Sequence, residues 1–267
     1  MTICIAAKSK EGYVVVASDR MVTLSLPSTE FEQGGSKTLE ITNNCLASTA
    51  GSALAYTPIL VQSRLQIEQQ NVHEISQIAE INRQYYIIMR NQKLEQDILA
   101  RIGINLQQFY DMNTRLSPQI VANLIQAMHL YEYGLSVLIA GVDSTGAHIY
   151  RIDNPGRMEI YDSIGHCSIG SGELHAISTF VANDYTMDLD LNHVMALTYQ
   201  AKKLSEKAQG VGEKSDFYII SRNGNTKLSD DVIKELDFIY NRQSKKDETA
   251  INEIEEKINC LPIKKET

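Results

Sequence analysis

The order of periodicities along the chain predicts an α+β protein, with two sheets packed face to face and helices outside on both sides. Strand-like stretches come first, a long helical stretch follows, strands return, and two helices, a strand and a last helix close the chain. The strict strand–helix alternation that a parallel doubly wound sheet requires is absent. No internal repeat and no linker divides residues 1–242, which read as a single domain, and 243–267 form a Lys/Glu-rich tail that is either a frayed helix or disordered.

Thr2 to Lys8 alternates weakly and reads as a strand, broken by Gly12, and Tyr13 to Ser18 reads as a fully buried second strand. Met21 to Gly35 contains Ser, Pro and Gly and is expected to be a loop. Lys37 to Ile41 and Cys45 to Ala50 form a strand pair across Thr42-Asn43-Asn44, a hairpin signal. From Ser52 the period turns helical, with Ile59, Leu60, Leu65, Ile67, Ile75, Ile78, Ile81 and Tyr85 in one long amphipathic run to Leu99. A second helix begins at Ser117-Pro118, with Ser as cap and Pro at the first position, and carries Ile120, Val121, Leu124, Ile125 and Met128 on its apolar face.

Leu135 to Val142, Ala147 to Ile152 and Arg157 to Tyr161 read as three strands, divided by the turn residues Asp143-Ser144-Thr145-Gly146 and Asn154-Pro155-Gly156. His166 to Ile169 is a further strand, leading through Gly170-Ser171-Gly172 into a helix to about Ala182. Leu191 to Lys207 reads as a helix, Ser215 to Ser221 as a strand and Ser229 to Tyr240 as the last helix.

Composition narrows the function classes. At 267 residues, 43% hydrophobic and 22% charged, the chain is ordinary globular material, long enough for a substantial core. A formal charge of −8 gives a nucleic-acid role no electrostatic support. No apolar run reaches the length of a membrane span, and no secretory signal is legible at the start. Cys4, Cys45, Cys167 and Cys260 show no metal-ligand or redox spacing, so buried free thiols in a reducing cytoplasm are expected. The six histidines are dispersed and make no ligand set; neither a metal nor a cofactor is expected.

The chemistry concentrates in the first fifty-one residues. Met1-Thr2 opens the chain, and methionine removal would place a free α-amine and a hydroxyl on one threonine, the arrangement in which that residue serves as nucleophile with its own amine as base. Then come Val14-Val15-Val16-Ala17-Ser18-Asp19-Arg20-Met21-Val22-Thr23, Ser36-Lys37, and Ala47-Ser48-Thr49-Ala50-Gly51-Ser52. Together with Leu138-Ile139-Ala140-Gly141-Val142-Asp143, Gly146 to Asp153 and Ile169-Gly170-Ser171-Gly172, this series resembles the proteasome β-type subunits of the N-terminal nucleophile (Ntn) hydrolases, over roughly Thr2 to Ala55 and Ser117 to Ile220.

The resemblance implies the four-layer αββα sandwich and a threonine peptidase. Thr2 would be the nucleophile and Lys37 an ammonium that favours the neutral α-amine and stabilises charge on the Thr2 oxygen. Asp19 would partner Lys37, Gly51 would offer its backbone N–H to an oxyanion, and Ser171 would help relay protons. Thr23 and the backbone near Ser48 and Thr49 would flank an extended substrate strand. It further implies peptide or unfolded protein as substrate, a homo-oligomeric ring, and an ATP-dependent unfoldase as partner. The run from Ser52 to Leu116 exceeds the family's helical stretch and is taken as a helical insertion over about 60–116.

Plainer accounts stand beside these. Thr2 fits a first strand, Lys37 a surface lysine, Gly51 a turn and Ser171 a helix cap, and Arg20 serves equally as the cation for Asp19. Two departures from the family matter. The Thr2–Asp19 spacing is one residue longer, which a longer first hairpin would absorb. Ala208 and Val211 occupy positions where the family has an aspartate and a serine, leaving Glu206, Gln209 or Glu213 as substitutes and a catalytically silent subunit as the alternative; a transpeptidase or amidase is the enzymatic one.

Overall fold

The computed structural model describes residues 2–25, 28–32 and 34–242, with the main chain alone at 23–25, 28–30, 53 and 54. The expected tail, 243–267, and with it Cys260, lies outside the described residues. Met1–Lys227 forms one compact unit and Leu228–Thr267 a second, in which 230–242 are helical and the Ile233 N–H donates to the Ser229 carbonyl at 3.2 Å.

The first unit holds two five-stranded antiparallel sheets. In chain order its strands are β1 (Ile3–Lys8), β2 (Val14–Asp19), β3 (Met21–Ser25), β4 (Ser28–Glu32), β5 (Thr38–Thr42), β6 (Cys45–Gly51), β7 (Leu135–Val142), β8 (Ala147–Asp153), β9 (Arg157–Ile160), β10 (His166–Gly170), β11 (Ser215–Ser221) and β12 (Gly224–Lys227). One sheet runs β10-β1-β2-β11-β12 and the other β5-β6-β7-β8-β9, while β3 and β4 pair separately. The helices are α1 (Ala53–Gln70), α2 (Ile75–Leu94), α3 (Leu106–Met112), α4 (Pro118–His129), α5 (Glu173–Ala182) and α6 (Leu191–Ser205).

Alternation along each strand builds the layers. Cys4, Ala6, Val14 and Val16 of one sheet meet Leu46, Leu138, Ala140 and Ile149 of the other in a buried core between the sheets. The outer face of the second sheet (Ala47, Val137, Ile139, Ile152) packs under Tyr56, Ile59, Ile75 and Ile78 of α1 and α2. On the opposite side α5 lies on β10 and β1 and α6 on β1 and β2, with Tyr199 stacked on Phe217 at 5.6 Å and Phe180 on His166 at 4.5 Å. This is the expected four-layer αββα sandwich. All six residues of β2 are buried, as the continuous apolar run required; each fully buried valine contributes about 1.5–3 kcal/mol.

Three details differ from the sequence expectation. The loop expected over Met21 to Gly35 contains the β3–β4 pair, in which β-branched and aromatic residues such as Val22 and Phe31 sit opposite each other. The single amphipathic run from Ser52 divides at Asn71, which takes a left-handed conformation (φ 50°) that asparagine tolerates, and its N–H closes on the Glu68 carbonyl at 3.2 Å. β12 had no apolar alternation to reveal it; it pairs with β11 across Arg222-Asn223 as a polar edge strand. The Ser117 cap is as expected, its side chain accepting from the Ile120 N–H at 3.4 Å.

Candidate functional site

Thr2 stands immediately before β1, between two neighbouring strands. β1 pairs with β2 and with β10, so the end of β2 and the turn after β10 both face it. Cys4 pairs with Ser18 and Ile3 with Gly170, which brings Asp19 to one side of Thr2 and Ser171 to the other. The turn between β1 and β2 contains Gly12 at a positive φ of 81°.

Thr2 is 2% exposed and Asp19 and Lys37 are buried beside it. The Lys37 Nζ donates to Thr2 Oγ1 and, at 2.8 Å, to Asp19 Oδ1. Thr2 Oγ1 in turn donates to Asp19 Oδ1. The main-chain N–H groups of Ile3 (2.9 Å), Met21 (3.0 Å) and Gly212 (3.0 Å) complete the donors around that carboxylate. A carboxylate taken out of water loses several kcal/mol of solvation, and these donors together with the ammonium offset it. Arg20, the alternative cation, is bonded to Asp216 at 2.7 and 3.1 Å. Burial pushes the Asp216 carboxyl up, but hydrogen bonds from Arg20, Lys227 and Ser36 bring it below the usual carboxylate value.

On the other side of Thr2, its N–H donates to Ser171 Oγ at 3.2 Å, and the Ser171 hydroxyl lies within donating distance of the carbonyls of Thr2 (3.3 Å) and Gln209 (3.2 Å). The Gly172 N–H holds the Thr2 carbonyl at 3.3 Å. Gly170 allows this approach: at φ 107° an added Cβ would lie 2.3 Å from the Thr2 carbonyl oxygen. Gly51 also has a positive φ, 96°, and its Cβ position falls 2.1 Å from the Gly134 oxygen. Gly51, Thr2, Ser136, Asp153 and Ser171 line one cavity of about 350 Å³.

Thus Thr2, Asp19, Lys37, Gly51 and Ser171, apart in sequence, share one locus. The residues expected to flank a substrate are engaged internally. Ser48 Oγ pairs with Thr38 Oγ1 at 2.8 Å, the Thr49 N–H donates to the Lys37 carbonyl at 3.3 Å, and the Thr49 carbonyl accepts from Cys4 Sγ at 3.5 Å. Thr23 pairs with Glu30 in the β3–β4 hairpin.

The loop after α6 carries Ala208 and Val211 as the sequence indicated. Of the suggested substitutes, Glu206 is bonded to Lys202 and Lys203, and Gln209 reaches Ser171 through its carbonyl. Sequence inspection missed the Gly212 N–H and Lys202. Lys202 belongs to the buried face of α6 with Val194, Met195, Thr198, Tyr199, Ala201 and Ser205, so the helical register was the signal for it. Cys4, Cys45 and Cys167 are free and buried, and burial pushes the thiols of Cys4 and Cys167 up to about 12. Among the described residues no cluster suited to a metal ion occurs, and no helix is long and apolar enough to cross a membrane.

Comparison with known proteins agrees with this architecture. The proteasome subunit family matches residues 62–220, more than half of the chain. The chain is 23% identical over 235 residues to the proteasome subunit alpha of Methanopyrus kandleri, covering 88% of this chain and 80% of that one. It is 24% identical over 238 residues to the proteasome subunit alpha of Methanococcus maripaludis strain C5, covering 88% and 76%. With the proteasome subunit beta 2 of Thermofilum pendens it shares 27% over 133 residues, 47% of this chain and 63% of that one. A match of this extent, on a sandwich of this layering, means that the chain belongs to the proteasome subunit family.

Proposed function

We propose that this subunit is a threonine peptidase whose nucleophile is Thr2, freed by removal of Met1. The observation that carries the proposal is the Lys37 ammonium bonded to a buried Thr2 hydroxyl at the edge of a cavity. A solvent-facing lysine would serve a fold equally well; a buried one aimed at a hydroxyl favours negative charge on that oxygen.

In the freed protein the α-amine, with an ordinary pKa of about 7.7–8.0, takes the Thr2 Oγ1 proton as the oxygen attacks a peptide carbonyl. The Gly51 N–H faces the oxyanion, and Lys37 offsets the charge on Oγ1. Collapse breaks the C–N bond, and the α-ammonium returns its proton to the departing amine. Water then attacks the ester and gives a proton to the amine, and Thr2 leaves as the hydroxyl. Ser171, within reach of the nitrogen, orients it. A ring of identical or related subunits, receiving peptide or unfolded protein from an ATP-dependent unfoldase, fits this reading. The helical stretch over about 60–116, with Ile88, Ile102 and Tyr110 exposed, is proposed to serve subunit contacts.

The test is a peptide epoxyketone or β-lactone with intact-mass detection. A single adduct on Thr2 in protein whose mass shows a free threonine supports the peptidase. A second reading, a catalytically silent subunit, is favoured by Ala208 and Val211 and by the longer alignments being to alpha-named subunits. Absence of an adduct in verified free-threonine protein would establish it.

A further inference from the structure

We propose that Lys202 is the positioning residue of this site, clamping the 206–213 loop so that the Gly212 N–H holds Asp19 against Thr2 and Lys37. The inference rests on the assignment of Thr2 as nucleophile for its catalytic consequence, though not for the clamp itself.

Lys202 is a fully buried ammonium on α6. Its Nζ donates to Glu206 Oε1 and to the Glu213 carbonyl, each at 2.5 Å. One cation therefore joins the first residue after α6 to the last residue of the loop. Burial lowers the Lys202 pKa, and the bond and charge of Glu206 oppose that. An unpaired ammonium there would cost several kcal/mol, so the loop is the condition on which Lys202 is buried, and Lys202 is in turn what closes the loop.

What the loop presents is specific. Gly212 stands next to Glu213, and its N–H reaches Asp19 Oδ2 at 3.0 Å, while Lys37 and Thr2 bond Asp19 Oδ1. The Gln209 carbonyl in the same loop accepts from Ser171 Oγ at 3.2 Å. The loop thus touches Asp19 and Ser171, two of the groups that contact Thr2, although Ala208 and Val211 bring no side-chain donor or acceptor to it. The far side of the loop is fastened too: the Lys214 N–H donates to Glu32 Oε1 at 2.9 Å and its Nζ pairs with Glu32 Oε2 at 3.1 Å. With Glu32 holding that end, loss of Lys202 releases residues 206–213 without unfolding the sheet.

The experiment compares wild type, Lys202→Met and Glu206→Gln by hydrogen–deuterium exchange across 206–214 and by cleavage kinetics. Both variants are expected to exchange faster in that loop while β2 and β11 stay protected. In both, kcat is expected to fall about ten- to a hundredfold, the effect of sub-ångström misplacement, with KM within about twofold. Unchanged exchange in the loop overturns the clamp, and unchanged kcat with faster exchange overturns its role in positioning. Should Lys202→Met fail to fold, Glu206→Gln decides by the same two measurements. A wild type that neither cleaves nor takes a label sinks the peptidase assignment instead, and the exchange comparison still decides the clamp.

Discussion

Lys37 Nζ and Asp19 Oδ1 lie 2.8 Å apart with side chains 5% and 0% exposed, so this ion pair forms where water does not screen it. It joins the start of the second sheet to the end of β2 in the first, and Thr2 Oγ1 is bonded to both members. Removing one partner leaves the other charged and buried. Lys37→Met is expected to lose about 3–5 kcal/mol of stability and most of the cleavage rate, read by denaturant unfolding beside turnover. A variant as stable and as active as wild type would show that the pair does neither job.

Thr2→Ala removes only the hydroxyl and a methyl. Peptide cleavage and epoxyketone labelling are expected to vanish, with the melting temperature within a few degrees of wild type. Thr2→Ser keeps the oxygen and should keep measurable turnover. Cleavage by the alanine variant at the wild-type rate would place the chemistry elsewhere.

Gly170→Ala drives a methyl into the Thr2 carbonyl and imposes a side chain on a left-handed residue. The expected cost is roughly 1–3 kcal/mol, with a slower labelling rate because the strain acts directly on the main chain of Thr2, the proposed nucleophile. Gly146→Ala, also at positive φ but with open space around its Cβ position, should lose stability without slowing the label. Equal labelling rates in the two variants would refute the distinction.

Asp143 sets an acid limit to stability. Burial pushes its carboxyl up, but bonds from the Thr145 hydroxyl and the Ile75 and Thr145 amides, with the charge of His148, bring it down to about 2. A carboxyl depressed in the folded state contributes stability that is full above its unfolded value of about 3.9. That contribution is lost as pH falls toward 2. Asp143→Asn should flatten the dependence of the unfolding free energy between about pH 4 and pH 2, and an unaltered slope would mean that the titration belongs to another group.

The layering was legible because it follows from strand order and from apolar runs such as Val14 to Ala17, which only a sheet covered on both faces can bury. Asp19 was legible as a carboxylate needing partners, and Lys37 as one of two cations able to supply them; choosing between Lys37 and Arg20 required the register that sends Arg20 to Asp216. Gly212 was not legible because its contribution is a main-chain N–H, and main-chain donors carry no residue identity. β3, β4 and β12 were missed for a related reason: their pairing bonds are backbone bonds, and their side chains lack the alternation that burial imposes.

The sealed thiols bear on any assay of this site. An electrophile meets Cys4, Cys45 and Cys167 only after unfolding, because each is buried and its thiolate is suppressed. In a Cys260→Ser background, reactive warheads that ordinarily confuse sulfur with oxygen therefore test the hydroxyl proposed at Thr2 without competition from these buried thiols.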